Sequence, residues 1–171
     1  MRVLMIAMTL GTVAAPACAG EVFGGVYAHA VDTPLSLMSG REDGVGLQLG
    51  YRWEPIGRTP LQPYVMAQAN PGGTTHFAAV GLSARFGDQL YIRPGIGLAV
   101  HSGSAANRSH AGHDHIDLGS RVLFEPELAI GARLSDRASL EASWVHLSHA
   151  RLFSRQNPGL DTVGIRLNWR L

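Results

Sequence analysis

The chain has 171 residues with a formal net charge of +1, and it contains a single cysteine. A charge this small argues against nucleic acid as a partner, and one cysteine excludes a disulfide framework within the chain. No segment offers the run of about 20 apolar residues that a membrane-spanning helix needs, so a helical membrane protein is excluded as well. The chain has 14 arginines and no lysine, and the planar guanidinium group of arginine suits phosphate.

The first 19 residues have the three parts of a bacterial secretory signal. Met1-Arg2 is a basic start, an apolar run covers 3–13, and Ala17-Cys18-Ala19 has the form of a cleavage site. We therefore predict a signal peptide over 1–19 and one mature domain over 20–171. Lipid attachment at Cys18 is the alternative, but the preceding Pro16-Ala17 lacks the leucine-led pattern of a lipoprotein signal.

The remaining chain alternates apolar and polar residues, which is the period of a β-strand with two different faces. Near the end of the chain, Val163, Ile165 and Leu167 share one face, whereas Arg166 and Asn168 lie on the other. Segments of about ten residues, the length of a tilted strand that crosses a bilayer, repeat this pattern. We predict eight such strands, at 21–30, 44–53, 61–70, 75–86, 90–101, 121–134, 138–149 and 161–171.

The connections between these strands differ in length from one end to the other. The turns at 54–60, 87–89 and 135–137 are short, whereas 31–43, 102–120 and 150–160 are longer, and 71–74 is a short exception. This layout is typical of an outer-membrane barrel, so we predict an all-β, eight-stranded, antiparallel up-and-down transmembrane β-barrel. Its interior would be filled by polar side chains such as Gln48 and Arg52. A soluble eight-stranded binding barrel in the periplasm is the alternative.

Three polar residues share the phase of the apolar, lipid-facing side chains. His146 and Ser148 alternate with Trp144 in the seventh strand, and Asp161 is in phase with Val163 in the eighth. Polar groups at an apolar wall are costly unless they satisfy one another, and a serine–histidine–carboxylate triad does so. The alternative is that these residues simply lie in the interfacial band of the membrane, where polar side chains reach the headgroups.

The segment from Trp144 to Ala150, followed by Asn157-Pro158-Gly159-Leu160-Asp161, resembles the C-terminal signature of the lipid A 3-O-deacylases of the PagL type. By this resemblance, His146 is the general base, Ser148 the nucleophile and Asp161 the orienting acid. The sequence departs from the family pattern in having Asp161 in place of glutamate and His149 in place of asparagine. Asn157 matches a family asparagine that could donate to the oxyanion, although Asn-Pro-Gly is also an ordinary turn.

The resemblance implies hydrolysis of the ester-linked 3-hydroxyacyl chain at the 3-position of lipid A in lipopolysaccharide, with no cofactor and no metal. Arg151 and Arg155 are candidate ligands for the lipid A phosphates, with solvated loop arginines as the alternative. The histidines of the segment His110–His115 lack an orienting framework, so we do not expect a physiological metal site there.

We expect lipopolysaccharide and the outer membrane as partners, and association into a homodimer is left open. Two other functions also remain open at this point: a non-enzymatic structural or adhesive barrel, and a phospholipase on the same scaffold.

Overall fold

A computed structural model describes residues 20–36, 42–73, 75–106, 115–150, 152 and 158–171. The predicted signal peptide lies outside these residues and stays a prediction. Among the described residues there is no helix with the length and apolarity needed to cross a membrane. The same residues form nine strands: β1 (Gly20–Ala28), β2 (Val45–Trp53), β3 (Leu61–Ala69), β4 (Phe77–Ala84), β5 (Phe86–Gly87), β6 (Leu90–His101), β7 (Val122–Arg133), β8 (Ala138–Leu147) and β9 (Leu160–Arg170).

These strands close into a barrel with eight positions around its wall. Strands that follow one another around the wall pair antiparallel, and β9 pairs with β1 to complete the circle. The short β5 pairs with β6 in the same register as β4, so the two form one wall strand interrupted at Arg85. The register places Pro94 opposite Ala84, and proline has no N–H to donate to the ladder there. The predicted eight-stranded up-and-down barrel is confirmed.

The interior of the barrel is polar and closely occupied. The guanidinium group of Arg166 donates to Glu141 at 2.5 Å and to Glu127 at 2.8 Å, and all three side chains are buried. Gln48, one of the predicted interior residues, accepts a hydrogen bond of 2.9 Å from the hydroxyl of Tyr27. Because buried charges are tolerated only when they are paired, this network holds the strands together from inside.

The exterior of the barrel is apolar. Exposed leucine, isoleucine and valine residues alternate with buried residues along most of the strands, and the exposed fractions of Leu49, Ile130 and Ile165 reach 65%, 63% and 59%. A soluble binding barrel would place its apolar residues inside and its polar residues outside. The reverse arrangement found here matches a barrel whose outside faces lipid, which excludes the soluble alternative.

The two ends of the barrel differ as the sequence predicts. One end has the short connections 54–60, 88–89 and 134–137, together with the two ends of the described chain, where the N–H of Leu171 donates to the carbonyl of Gly20 at 2.9 Å. The other end has the longer connections 29–44, 102–121 and 148–159, together with 70–76, which is as short as 54–60. His146 and Asp161 lie at this second end of β8 and β9, next to the longer connections.

Candidate active site

The pairing of β8 with β9 brings the predicted base and acid together. The register places His146 directly opposite Asp161, and directly opposed residues of an antiparallel pair have their side chains on one face. Nδ1 of His146 lies 2.7 Å from Oδ1 of Asp161. Because an ionised carboxylate only accepts hydrogen bonds, Nδ1 carries the proton in this pair. Nε2 is therefore the nitrogen left to act as a base.

Ser148 lies one residue beyond the end of β8, yet the strand geometry extends to it. Its backbone N–H donates to the carbonyl of Phe124 at 3.1 Å, and the N–H of Phe124 donates back to Ser148 at 2.8 Å. These bonds continue the β7–β8 register, so Ser148 keeps the same phase as His146. Residues two apart on a strand are about 7 Å apart along it, which an imidazole ring can largely span.

Asp161 is the centre of the site because four side chains donate to its carboxylate. Oδ1 accepts from Nδ1 of His146 and from Nε1 of Trp144, the latter at 3.0 Å. Oδ2 accepts from the hydroxyl groups of Thr33 and Ser36. The carboxylate is completely buried, and hydrogen bonds of this number are what a buried anion needs to remain ionised. Asp161 is thus held in one orientation toward the imidazole.

The connection between β1 and β2 folds over this carboxylate. The N–H of Val31 donates to the backbone carbonyl of Asp161 at 2.9 Å, and the N–H of Ser36 donates to the carbonyl of Thr33 at 3.1 Å, which closes a turn. Leu140, in the same phase farther along β8, is 41% exposed, whereas His146 is only 6% exposed. The site therefore begins as part of the lipid-facing wall but is covered by a loop.

Gly159 allows the chain to enter β9 close to the imidazole. It has a φ of +65°, in the left-handed region that favours glycine. A Cβ atom at this position would lie 2.9 Å from Cε1 of His146 and 3.2 Å from Cβ of Ser36. The structure therefore explains why this position is glycine, because a side chain at Gly159 would contact the imidazole ring of His146.

Trp144 supports the same pair of residues from the membrane side. Its ring lies 5.9 Å from the His146 ring, centroid to centroid, with an angle of 27° between the planes. Its indole N–H donates a hydrogen bond to Asp161, and its side chain is half-buried at the edge of the lipid-facing wall. Trp144 therefore holds the carboxylate of Asp161 and packs against one face of the His146 ring.

The predicted nucleophile, Ser148, is close to the histidine–aspartate pair but is not joined to it. Among the described residues, no hydrogen bond joins the hydroxyl of Ser148 to His146, whereas the bond from His146 to Asp161 is formed. Catalytic hydrogen bonds often tighten only when substrate is bound, so a formed base–acid pair beside an unengaged serine is compatible with this chemistry. Both Ser148 and His146 are nearly buried, which excludes most water from the site.

Some predicted residues lie outside the part of the chain that the structure describes. These are Asn157, Arg151 and Arg155, and also positions 110–114 of the histidine-rich segment. His115 is described, and its Nε2 lies 3.4 Å from Asp117. No group of three potential metal ligands is found among the described residues.

Sequence reasoning missed three donors to Asp161. Thr33 and Ser36 lie more than 120 residues away in a loop without periodicity, so no sequence signal points to them. Trp144, in contrast, shares the phase of His146 two residues earlier, and that signal was available.

Comparison with known proteins gives both a family and a set of similar folds. A family profile described as lipid A 3-O-deacylase (PagL) matches residues 43–170. Among solved structures, the outer membrane enzyme PagL superimposes with a TM-score of 0.61 at 24% identity, covering 88% of this chain and 99% of that one. A de novo designed transmembrane β-barrel gives 0.56 at 12% identity, covering 91% and 98% of the two chains.

Neisserial surface protein A gives a TM-score of 0.51 at 10% identity, covering 89% of this chain and 97% of that one. At such identities these superpositions establish the fold alone. A search of curated proteins gives no significant match.

Proposed function

Because the chain belongs to the lipid A 3-O-deacylase (PagL) family, it is an outer-membrane hydrolase, and we propose that Ser148, His146 and Asp161 form its catalytic triad. The substrate is the ester-linked 3-hydroxyacyl chain at the 3-position of lipid A. The observation that carries this proposal is the 2.7 Å hydrogen bond between His146 and a fully buried Asp161 on the lipid-facing phase of the wall. A buried imidazole–carboxylate pair beside a serine is the arrangement that activates a hydroxyl nucleophile.

The reaction takes place in two halves. In the first, Nε2 of His146 accepts the proton of Ser148 as the serine oxygen attacks the ester carbonyl carbon. The tetrahedral intermediate collapses, the bond to the sugar oxygen breaks, and the imidazolium gives its proton to that oxygen. Asp161 stabilises the positive charge on the ring while it exists. The products of this half are lipid A with a free 3-hydroxyl and an acyl ester on Ser148.

In the second half, water replaces the sugar as the reacting group. His146 takes a proton from the water molecule, which attacks the acyl ester, and then returns a proton to the oxygen of Ser148. The fatty acid leaves and the free serine is restored, so neither half of the reaction requires an oxidant, a reductant or a metal ion. The negative charge that forms on the carbonyl oxygen requires donors, and we assign this role to the side-chain amide of Asn157 and to backbone N–H groups after Ser148.

The lateral position of the triad fits a membrane-embedded ester. An acyl ester of lipid A lies where the polar headgroup meets the hydrocarbon chains, and the site lies where the apolar wall of the barrel ends at the long loops. The ester group of a lipid in the membrane therefore lies at the same level as the site. We also propose that Arg151 and Arg155, three and seven residues after Ser148 in the sequence, bind the phosphate groups of lipid A through their guanidinium groups.

The test is a lipid assay with purified full-length protein in detergent. Wild type, Ser148→Ala and Ser143→Ala are each incubated with lipopolysaccharide and, separately, with phospholipids, and the lipids are analysed by mass spectrometry. Ser143 is the matched control because it lies in the same strand and points into the barrel. We expect lipid A to lose one hydroxyacyl chain with wild type and Ser143→Ala, and to stay intact with Ser148→Ala. Cleavage of phospholipid alone would reassign the substrate, and no change in either lipid would refute the enzymatic proposal.

A further inference from the structure

A cavity at the opposite end of the barrel is lined by arginine. It lies at the end with the short turns, has a volume of about 250 Å³, and is bordered by Arg85, Arg133, Arg137 and Arg170. Four guanidinium groups around one cavity repel one another unless anions lie among them. The function proposed above does not use this cavity, because the triad is at the other end of the barrel.

The acidic residues of the cavity balance only part of this charge. Glu21 is already engaged, because its carboxylate pairs with Arg52 and lies 2.9 Å from Nη1 of Arg93 deeper in the barrel. Asp136 is the other acidic residue in the lining. The cavity therefore carries more positive than negative charge even before the pairing of Glu21 is considered.

Two of the four arginines donate to a described acceptor and two do not. Arg133 pairs with Asp88, and Arg85 donates to the backbone carbonyl of Asp88 at 2.6 Å. For the guanidinium groups of Arg137 and Arg170, no acceptor lies within hydrogen-bond distance in the described part of the chain. A guanidinium group presents its donors in a fixed fork that matches the oxygens of phosphate.

A hydroxyl group adds one more donor. The oxygen of Ser135 accepts from the backbone N–H groups of Arg137 at 3.3 Å and Ala138 at 3.1 Å. Since this oxygen already accepts, its own hydrogen is available to donate toward the cavity. The hydroxyl of Ser139 also lines the cavity, but it donates to the oxygen of Tyr91 at 2.8 Å, because the single hydrogen of that phenol is donated to Glu141 at 2.9 Å.

The cavity lies at the level where the apolar band of the barrel ends. Arg170 stands between Trp169 and Leu171, whose side chains are 48% and 64% exposed on the lipid face. Aromatic residues at such positions mark the headgroup region of a bilayer. From the excess of positive charge, the free donors and this location, we propose that the cavity binds a phosphate group. Its favoured source is the headgroup of a phospholipid in the adjacent leaflet, and a soluble phosphate is the other source of the same chemistry.

The test compares ligands with and without phosphate on full-length protein. Retention of phosphatidylglycerol and of diacylglycerol with the same chains is measured by native mass spectrometry from detergent, and binding of inorganic phosphate by calorimetry. The variants are Arg137→Gln/Arg170→Gln and, as a matched control, Arg58→Gln, because Arg58 is an exposed arginine at the same end that does not line the cavity. Unfolding midpoints establish that all variants are folded.

We expect wild type and Arg58→Gln to retain phosphatidylglycerol but not diacylglycerol, and the double variant to bind it at least tenfold more weakly. Binding of inorganic phosphate without phosphatidylglycerol, lost in the double variant, would support the site and assign it to a soluble anion. Equal binding by the double variant and wild type, or binding of neither phosphate ligand, would overturn the proposal.

Discussion

Replacing Asp161 by asparagine separates the charge of the acid from its role in orienting the base. The four donors are divided between the two carboxylate oxygens, with the rings of His146 and Trp144 on one and the hydroxyls of Thr33 and Ser36 on the other. An asparagine can keep its carbonyl oxygen toward the two rings and turn its NH₂ group toward the hydroxyls. Hydroxyl oxygens accept as well as donate, so this arrangement satisfies every group. We therefore expect Asp161→Asn to fold and to keep the imidazole oriented.

The lost charge sets the size of the effect on catalysis. A unit positive charge about 4 Å from a unit negative charge is stabilised by about 4 kcal/mol at an effective dielectric constant of 20. A neutral hydrogen bond, worth about 1 kcal/mol, remains in the variant. The difference of about 3 kcal/mol is lost only when the imidazolium forms, so kcat should fall by roughly two orders of magnitude with little change in KM. Release of hydroxy fatty acid from lipopolysaccharide in detergent gives both constants.

The matched control is Asp43→Asn, which removes one negative charge at the same end of the barrel from an exposed side chain. We expect this control to retain full activity. Wild-type activity in Asp161→Asn would show that the charge has no part in the reaction. Activity as low as that of Ser148→Ala would show that the amide disturbs the imidazole, which contradicts the division of donors described above.

Four other substitutions test the remaining parts of the account. Ser148→Ala should lower kcat by about 10⁴-fold or more because the nucleophile is gone. Trp144→Phe keeps the ring but loses one of four donors to the carboxylate, and a loss of about 1.5 kcal/mol predicts a kcat about tenfold lower. Gly159→Ala forces a side chain into the left-handed region against the imidazole, so unfolding should become easier by about 1–2 kcal/mol and kcat should fall too. Arg166→Met removes the guanidinium group closest to both Glu127 and Glu141, which keep only Arg52 at 3.8 Å and Arg93 at 2.9 Å as cationic partners, and should cost about 3–5 kcal/mol in the free energy of unfolding.

Measurements of stability and of turnover can contradict these expected outcomes. Denaturant titration by circular dichroism should leave Ser148→Ala as stable as wild type, since this change does not open the interior of the barrel. Full turnover by Trp144→Phe would remove this residue from the support of the acid. An Arg166→Met protein as stable as wild type would mean that the interior carboxylates do not depend on that guanidinium group.

The phase of the strands could be predicted from the sequence because the pattern is local. Alternation fixes which side chains face outward, and it placed His146, Ser148 and Asp161 on one face before any pairing was known. Only the register between β8 and β9 was missing, and it puts the histidine directly opposite the aspartate. The bounds of β6, at 90–101, were also predicted correctly.

What the sequence could not predict depends on contacts between distant segments. Thr33 and Ser36 reach Asp161 from a loop, and loops have no period from which a direction can be read. The interruption of the fourth wall strand at Arg85 arises from Pro94 on the neighbouring strand, so it became visible only with the pairing. The same applies to the arginine-lined cavity, whose members come from different strands and turns.

The central claim, that Ser148 is the nucleophile on the outer wall of the barrel, is tested most directly by trapping the acyl-enzyme. Full-length protein is mixed with lipopolysaccharide, quenched in acid within the first turnover, digested, and analysed by peptide mass spectrometry. The account predicts a 3-hydroxyacyl group on the peptide that contains Ser148 and on no other peptide, with no adduct in Ser148→Ala. Release of the fatty acid by Ser148→Ala, or an acyl group attached to a different residue, would contradict it.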